Sequence, residues 1–232
     1  MQIRSIALLA MSIPVCVFAA SSGAPLAIYY SFDTPPSAAM VTEMQTELNR
    51  ILADAGVRVA WRALESPRNG EDFRGIVILR FRGVCSLDLV PFANERRADR
   101  SGQSLAETDV ADGHVLPFAA VDCDRVRRFI APALQSAGPG EMTAALGRAA
   151  ARVSAHEIYH MVTGSEAHAA RGIARASHSR ADLTAPGFAF APQQADWLRS
   201  WAATTAVLDA GLAANPAQAE STASDAGASA GR

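Results

Sequence analysis

Residues 138–164 read GPGEMTAALGRAAARVSAHEIYHMVTG, and the fold is organised around them. Pro139 stands where a first helical turn tolerates proline, and Glu141 puts an acid at the positive end of the helix dipole. Alanine, the strongest helix former, fills the middle. Gly164 is placed to cap the C-terminus in a left-handed conformation. Met142, Leu146, Ala149, Val153, His156 and His160 recur at three- and four-residue steps and form one stripe. The stretch predicts a long helix whose inward face ends in two histidines.

Those histidines belong to His156-Glu157-Ile158-Tyr159-His160, an H-E-x-x-H pattern. Two imidazoles four residues apart sit on one helix face, one turn apart, and can grip a single ion. Glu157 lies about 100° round the helix from His156, an offset that lets a carboxylate reach water on the ion without ligating it. Zinc lowers the pKa of such a water to about 7, and the glutamate can take its proton. Tyr159 points away from both histidines and is expected to pack in the core. A catalytic zinc needs a third protein ligand and an open position. His168 is the expected third ligand, because a chain turning back after Gly164 can present it to the same ion. Four of the five histidines fall between 156 and 178. His178 is therefore the alternative, with Glu166 and Asp182 behind it, while His114 reads as a surface residue.

Outward from the helix, the elements alternate. Residues 26–32 (LAIYYSF) read as a strand ending at a Pro-Pro pair. Residues 37–55 are helical, with Met40, Met44, Leu48, Ile51 and Leu52 on one face and Gly56 as the stop. Residues 57–63 alternate as a half-buried strand does, 67–70 are turn material, and 75–81 (GIVILRF) read as a more buried strand. Residues 94–103, with Arg96, Arg97 and Arg100, read as a solvated loop. Asp112-Gly113 is a strong hairpin signal between strands 105–110 and 114–121. A short helix is expected over 125–135, although Pro132 weakens it. A last helix spans 196–212, with Trp197, Trp201 and Leu208 at suitable spacing. This order predicts an α+β domain with a mixed sheet covered by helices.

Half of the 232 residues are apolar and 19% are charged, which permits a buried core and excludes global disorder. The net charge is −2 and every one of the 21 basic residues is Arg, with no basic excess to favour a nucleic-acid partner. Residues 1–20 carry Arg4, then an apolar run, then Ala19 and Ala20, the pattern of a cleaved Sec-type signal peptide. The protein is thus expected to be exported, to the periplasm or the medium. No other run is long and apolar enough to span a membrane. After cleavage Cys85 and Cys123 remain, and two Cys in an exported chain favour one disulfide. The mature protein is expected as a single domain over 24–212 with a disordered tail over 213–232.

His156-Glu157-x-x-His160 followed by Gly164 and His168 resembles the metzincin clan of zinc metallopeptidases. The clan spaces its motif H-E-x-x-H-x-x-G-x-x-H, and this chain is one residue longer on each side of the glycine. Residues 112–118, 121–125 and 172–176, with the motif, are also similar to a group of exported bacterial H-E-x-x-H proteins. The likeness covers roughly residues 80–185, and the upstream strand–helix–strand–strand order also looks like the N-terminal subdomain of metzincins. The resemblance implies a zinc-dependent peptidase acting on peptide or protein substrates. It implies a twisted sheet above a cleft, the motif helix below, a small C-terminal helical subdomain, and an edge strand within 105–121 that pairs with an extended substrate. Metzincins carry a Met-turn beneath the metal. No Met follows Met161 here, and Phe188 or Phe190 is the residue available for that floor. The altered spacing and absent Met-turn motivate a second expectation, a non-catalytic zinc-binding module on the same fold. A third draws on residues 83–87 (GVCSL), which resemble the cysteine segment of peptide deformylases and would make Cys85 a ligand; the signal peptide argues against it.

Overall fold

The structure, a computed structural model, describes residues 24–65, 70–87 and 104–214, apart from the side chains of 205–214. The expected signal peptide over 1–20, residues 67–69 of the turn expected at 67–70, the loop expected at 94–103 and the expected tail beyond Ala214 lie outside these residues. The chain runs β1 (Leu26–Thr34), α1 (Ala38–Asp54), β2 (Val59–Ala63), β3 (Gly75–Val84), β4 (Ala106–Ala111), β5 (His114–Asp122), α2 (Cys123–Ile130), α3 (Pro139–Thr163), α4 (Arg180–Thr184) and α5 (Pro192–Ala214). The five strands form one mixed sheet in the order β2-β1-β3-β5-β4. β1, β2, β3 and β5 are parallel, and β4 returns antiparallel along β5 as an edge. Asp112 and Gly113 both take positive φ, as the tight β4–β5 turn requires.

One face of the sheet meets the helices. Val77, Leu79 and Phe81 of β3 are buried, while on the alternate positions Ile76, Arg80 and Arg82 are exposed and Ile78 is half-buried. The expectation of a more buried strand at 75–81 therefore holds for one face only, and Ile76 is 50% exposed. The β4–β5 ladder is regular from Ala106↔Val121 to Thr108↔Ala119, then shifts to Val110↔Val115. Leu116, Pro117 and Phe118 thus stand opposite the single Asp109, where proline has no N–H to give the ladder.

α3 lies between α1 and the edge half of the sheet, and α4 and α5 pack on it as well. Its burial exceeds a stripe: from Ala145 to His160 every residue except Arg148 is buried. The alanines permit this by keeping the helix thin. A Cβ added to Gly147 would stand 2.7 Å from the Glu43 Cβ and 2.9 Å from the Met40 carbonyl, so the α1–α3 approach requires glycine.

Three elements differ from expectation. α2 starts at Cys123, because the Asp122 side chain caps the Arg125 N–H, and Pro132 opens a separate 3-10 turn over Ala131–Ala133. α4 was not expected. It opens with a capping box between Ser179 and Asp182, a Ser-x-x-Asp pattern legible in the sequence. α5 begins at Pro192, a residue suited to a first turn. Its core anchor is Leu198, whereas Trp197 is 47% exposed and the Leu208 side chain is outside the described residues.

Cys85 and Cys123 lie at disulfide distance, with a Cα–Cα separation of 4.9 Å across 38 residues. Closing a loop of that length contributes about 3–4 kcal/mol through chain entropy, and the pairing suits an oxidising compartment. Among the described residues no helix is long and apolar enough to cross a membrane.

Candidate metal centre

His156 and His160 are buried near the C-terminal end of α3. The His156 Nδ1–H donates to the Ile173 carbonyl at 2.8 Å, and the His160 Nδ1–H donates to the Ser165 carbonyl at 2.6 Å. A carbonyl only accepts, so these bonds place the hydrogen on Nδ1 and leave Nε2 of each ring as a bare lone pair. The two Nε2 atoms face each other at 3.0 Å. Burial pushes the His156 pKa down to about 4, against the pull of the Ile173 carbonyl, so this ring is neutral near pH 7. Two lone pairs that close repel unless a cation stands between them.

His168 completes the cluster. The ligating atoms of His156, His160 and His168 all lie within 4.8 Å of one another. The His168 ring stacks on His156 at 5.2 Å between centroids and meets His160 edge-on at 4.9 Å. It is exposed where the other two are buried, so the cluster opens towards solvent on its side. Three imidazoles, two of them oriented by backbone acceptors on the far nitrogen, make a donor set that fits a divalent transition metal.

The segment following α3 provides those acceptors. Gly164 caps the helix at φ 63°, and the chain folds back along the helix face that carries Arg148, Arg152, His156 and His160. Each of these residues, spaced by four, donates to a carbonyl of the returning segment. Arg148 reaches Thr184 at 3.3 Å, and Arg152 reaches Asp182 and Ala185 at 2.8 and 2.5 Å. His156 and His160 reach Ile173 and Ser165 as described. Arg152 also pairs with Glu47 of α1 at 2.7 Å, with no side-chain exposure of its own. Arg50, bound to the same Glu47, donates to the Phe188 carbonyl at 2.8 Å.

Glu157 lies on the side of α3 that meets the sheet edge. The Thr108 hydroxyl of β4 donates to its Oε2 at 2.6 Å. Burial raises the Glu157 carboxyl above its ordinary pKa, and the Thr108 bond offsets this only in part. The carboxylate is therefore in a poorly solvated place, held by one hydroxyl.

The other candidates separate cleanly. His178 stands 5.5 Å from His156 ring to ring, and its Nε2–H donates to the same Ile173 carbonyl at 2.9 Å. It belongs to the surroundings of the histidine cluster rather than to the cluster itself. Asp182 is taken up by Arg175 and Ser179, and exposed Glu166 is not in the cluster. His114 is exposed on the hairpin. Tyr159 is buried and packs against Phe190 and Trp197. Cys85 is committed to Cys123. Phe188 meets His178 edge-on at 5.7 Å and lies under the Arg152 guanidinium; Phe190 turns to Tyr159.

Three functional neighbours were missed. Glu47 interrupts the apolar stripe of α1 between Met44 and Leu48, and Arg152 precedes His156 by one turn on the inward face. A charge within a buried stripe was the available signal for both. Thr108 left no signal, because its partner is 49 residues away and only the fold joins them. No family model, curated protein or solved structure matches this chain.

Proposed function

We propose that the protein is an exported zinc-dependent metallopeptidase of metzincin-like type. The observation that carries this reading is the convergence of His156 and His160 through bare Nε2 atoms at 3.0 Å, with His168 beside them and a buried carboxylate one residue along. His156, His160 and His168 would hold the ion. Zinc bound there would supply a Lewis acid that polarises a carbonyl and brings the pKa of water towards about 7. Glu157 takes the proton of the attacking water and delivers it to the leaving amine. Its desolvated carboxyl, with a pKa raised by burial, is a better base than an exposed one. β4, an antiparallel edge whose Thr108 touches Glu157, offers ladder positions to an extended peptide beside the site.

The test is zinc content and peptide hydrolysis measured together. The wild-type protein is expected to hold one zinc and cleave peptides. Glu157→Gln is expected to keep the zinc and lose about 10²–10⁴-fold in kcat. Retained hydrolysis in that variant would refute the mechanism. One tightly held zinc without cleavage across a broad peptide library would instead favour the non-catalytic module.

A further inference from the structure

We infer that Thr108 is a positioning residue that holds the Glu157 carboxylate off the metal, keeping it a base rather than a fourth ligand. The inference rests on the metal-centre reading above. A carboxylate next to a pair of ligating histidines has two possible fates. It can bind the ion and close the open position, or it can stay back and handle protons. Glu157 is buried, so water does little to hold it in place. The Thr108 hydroxyl does so at 2.6 Å, the length of a charge-assisted O–H···O⁻ bond. Among the described residues this is the hydrogen bond that the carboxylate receives from a side chain.

Both ends of that bond are anchored. Glu157 is fixed by α3. Thr108 pairs with Ala119 at the last regular position of the β4–β5 ladder, just before the register shift at Pro117. Its β-branched side chain has few rotamers. The edge strand that would receive a peptide therefore also sets the base, and the two functions share one residue. No single-residue pattern announces this role, since a Thr in an edge strand is ordinary.

Thr108→Val removes the hydroxyl and keeps the shape, Thr108→Ser keeps the hydroxyl, and Thr108→Ala repeats the loss with a smaller side chain. Each protein is loaded with Co²⁺, whose visible bands weaken as coordination number rises, and separately with zinc for peptide hydrolysis. We expect weakened and shifted cobalt bands in Thr108→Val and Thr108→Ala, the wild-type spectrum in Thr108→Ser, and its return in the double variant Thr108→Val/Glu157→Gln. With zinc, kcat should fall about 10–100-fold in Thr108→Val at unchanged KM and zinc content, and Thr108→Ser should recover it. A wild-type cobalt spectrum in both hydroxyl-free variants overturns the inference, as does a shifted spectrum with unchanged kcat. A wild-type protein that binds cobalt yet cleaves nothing sinks the peptidase reading alone, and the spectra still decide Thr108. A chain that binds no cobalt overturns both.

Discussion

Two polar clusters sit on α3 a single turn apart, and they treat buried polar groups in opposite ways. At Arg152 the base and the acid are given to each other: the guanidinium meets Glu47 at 2.7 Å and two carbonyls on its other side. At His156 and His160 the nearby acid is kept apart. Glu157 is tied to Thr108, the Nδ1 hydrogens go to Ile173 and Ser165, and two Nε2 lone pairs converge with no donor. The first arrangement sets a buried charge against an opposite one and holds α1, α3 and the returning segment together. The second leaves two lone pairs facing each other that a cation would satisfy, and the proposed metal site rests on that.

The contrast can be broken by mutation, starting where the effect is largest. Arg152→Ala should cost about 3–5 kcal/mol in urea unfolding, because it leaves Glu47 buried with less of its compensation. A loss under about 1 kcal/mol would mean the ion pair is not the clamp described.

A smaller effect concerns acid. Burial pushes the Glu47 carboxyl up, but hydrogen bonds from Arg50 and Arg152 outweigh it and hold the pKa below the ordinary 4.5. An acid whose folded pKa is depressed adds stability that is complete above the unfolded value and is lost as pH falls through the folded one. Glu47→Gln should therefore cost about 1.5–3 kcal/mol at neutral pH. Its stability should then fall less than the wild type's as pH drops below about 4.5, read by circular dichroism. Parallel acid limbs would show that the pair does not titrate with folding.

The smallest effect has the opposite sign. Glu157 gives up hydration without gaining an ion pair, so Glu157→Gln should stabilise the metal-free protein by about 0.5–1 kcal/mol. Destabilisation by that variant would move Glu157 into the same class as Glu47.

Most secondary structure was legible in the sequence. The 26–32 strand, the 37–55 helix, the Asp112-Gly113 hairpin and the long helix ending at Gly164 all rest on local periodicity, caps and turn chemistry, which a chain expresses whatever surrounds it. His156 and His160 were legible for the same reason, since four residues of helix are one turn. The readings weakened where packing decides. The burial of α3 all round depends on α1, α4 and α5 closing over it. The last helix, expected from residue 196, starts at Pro192, and its core anchor is Leu198 while Trp197 is half exposed.

Taken alone, the sequence determined most of the strands and helices and their order, the histidine spacing on α3 and the glycine that ends it. These are short-range properties, fixed by backbone sterics and by side chains within one or two turns. Only the tertiary structure decided that Thr108 meets Glu157, that Arg152 meets Glu47, that His168 rather than His178 joins the histidine pair, and that carbonyls of the returning segment orient the rings. Those contacts join residues between 5 and 105 positions apart. Once a partner is many residues away, no local pattern selects it; the shape of the packed core does.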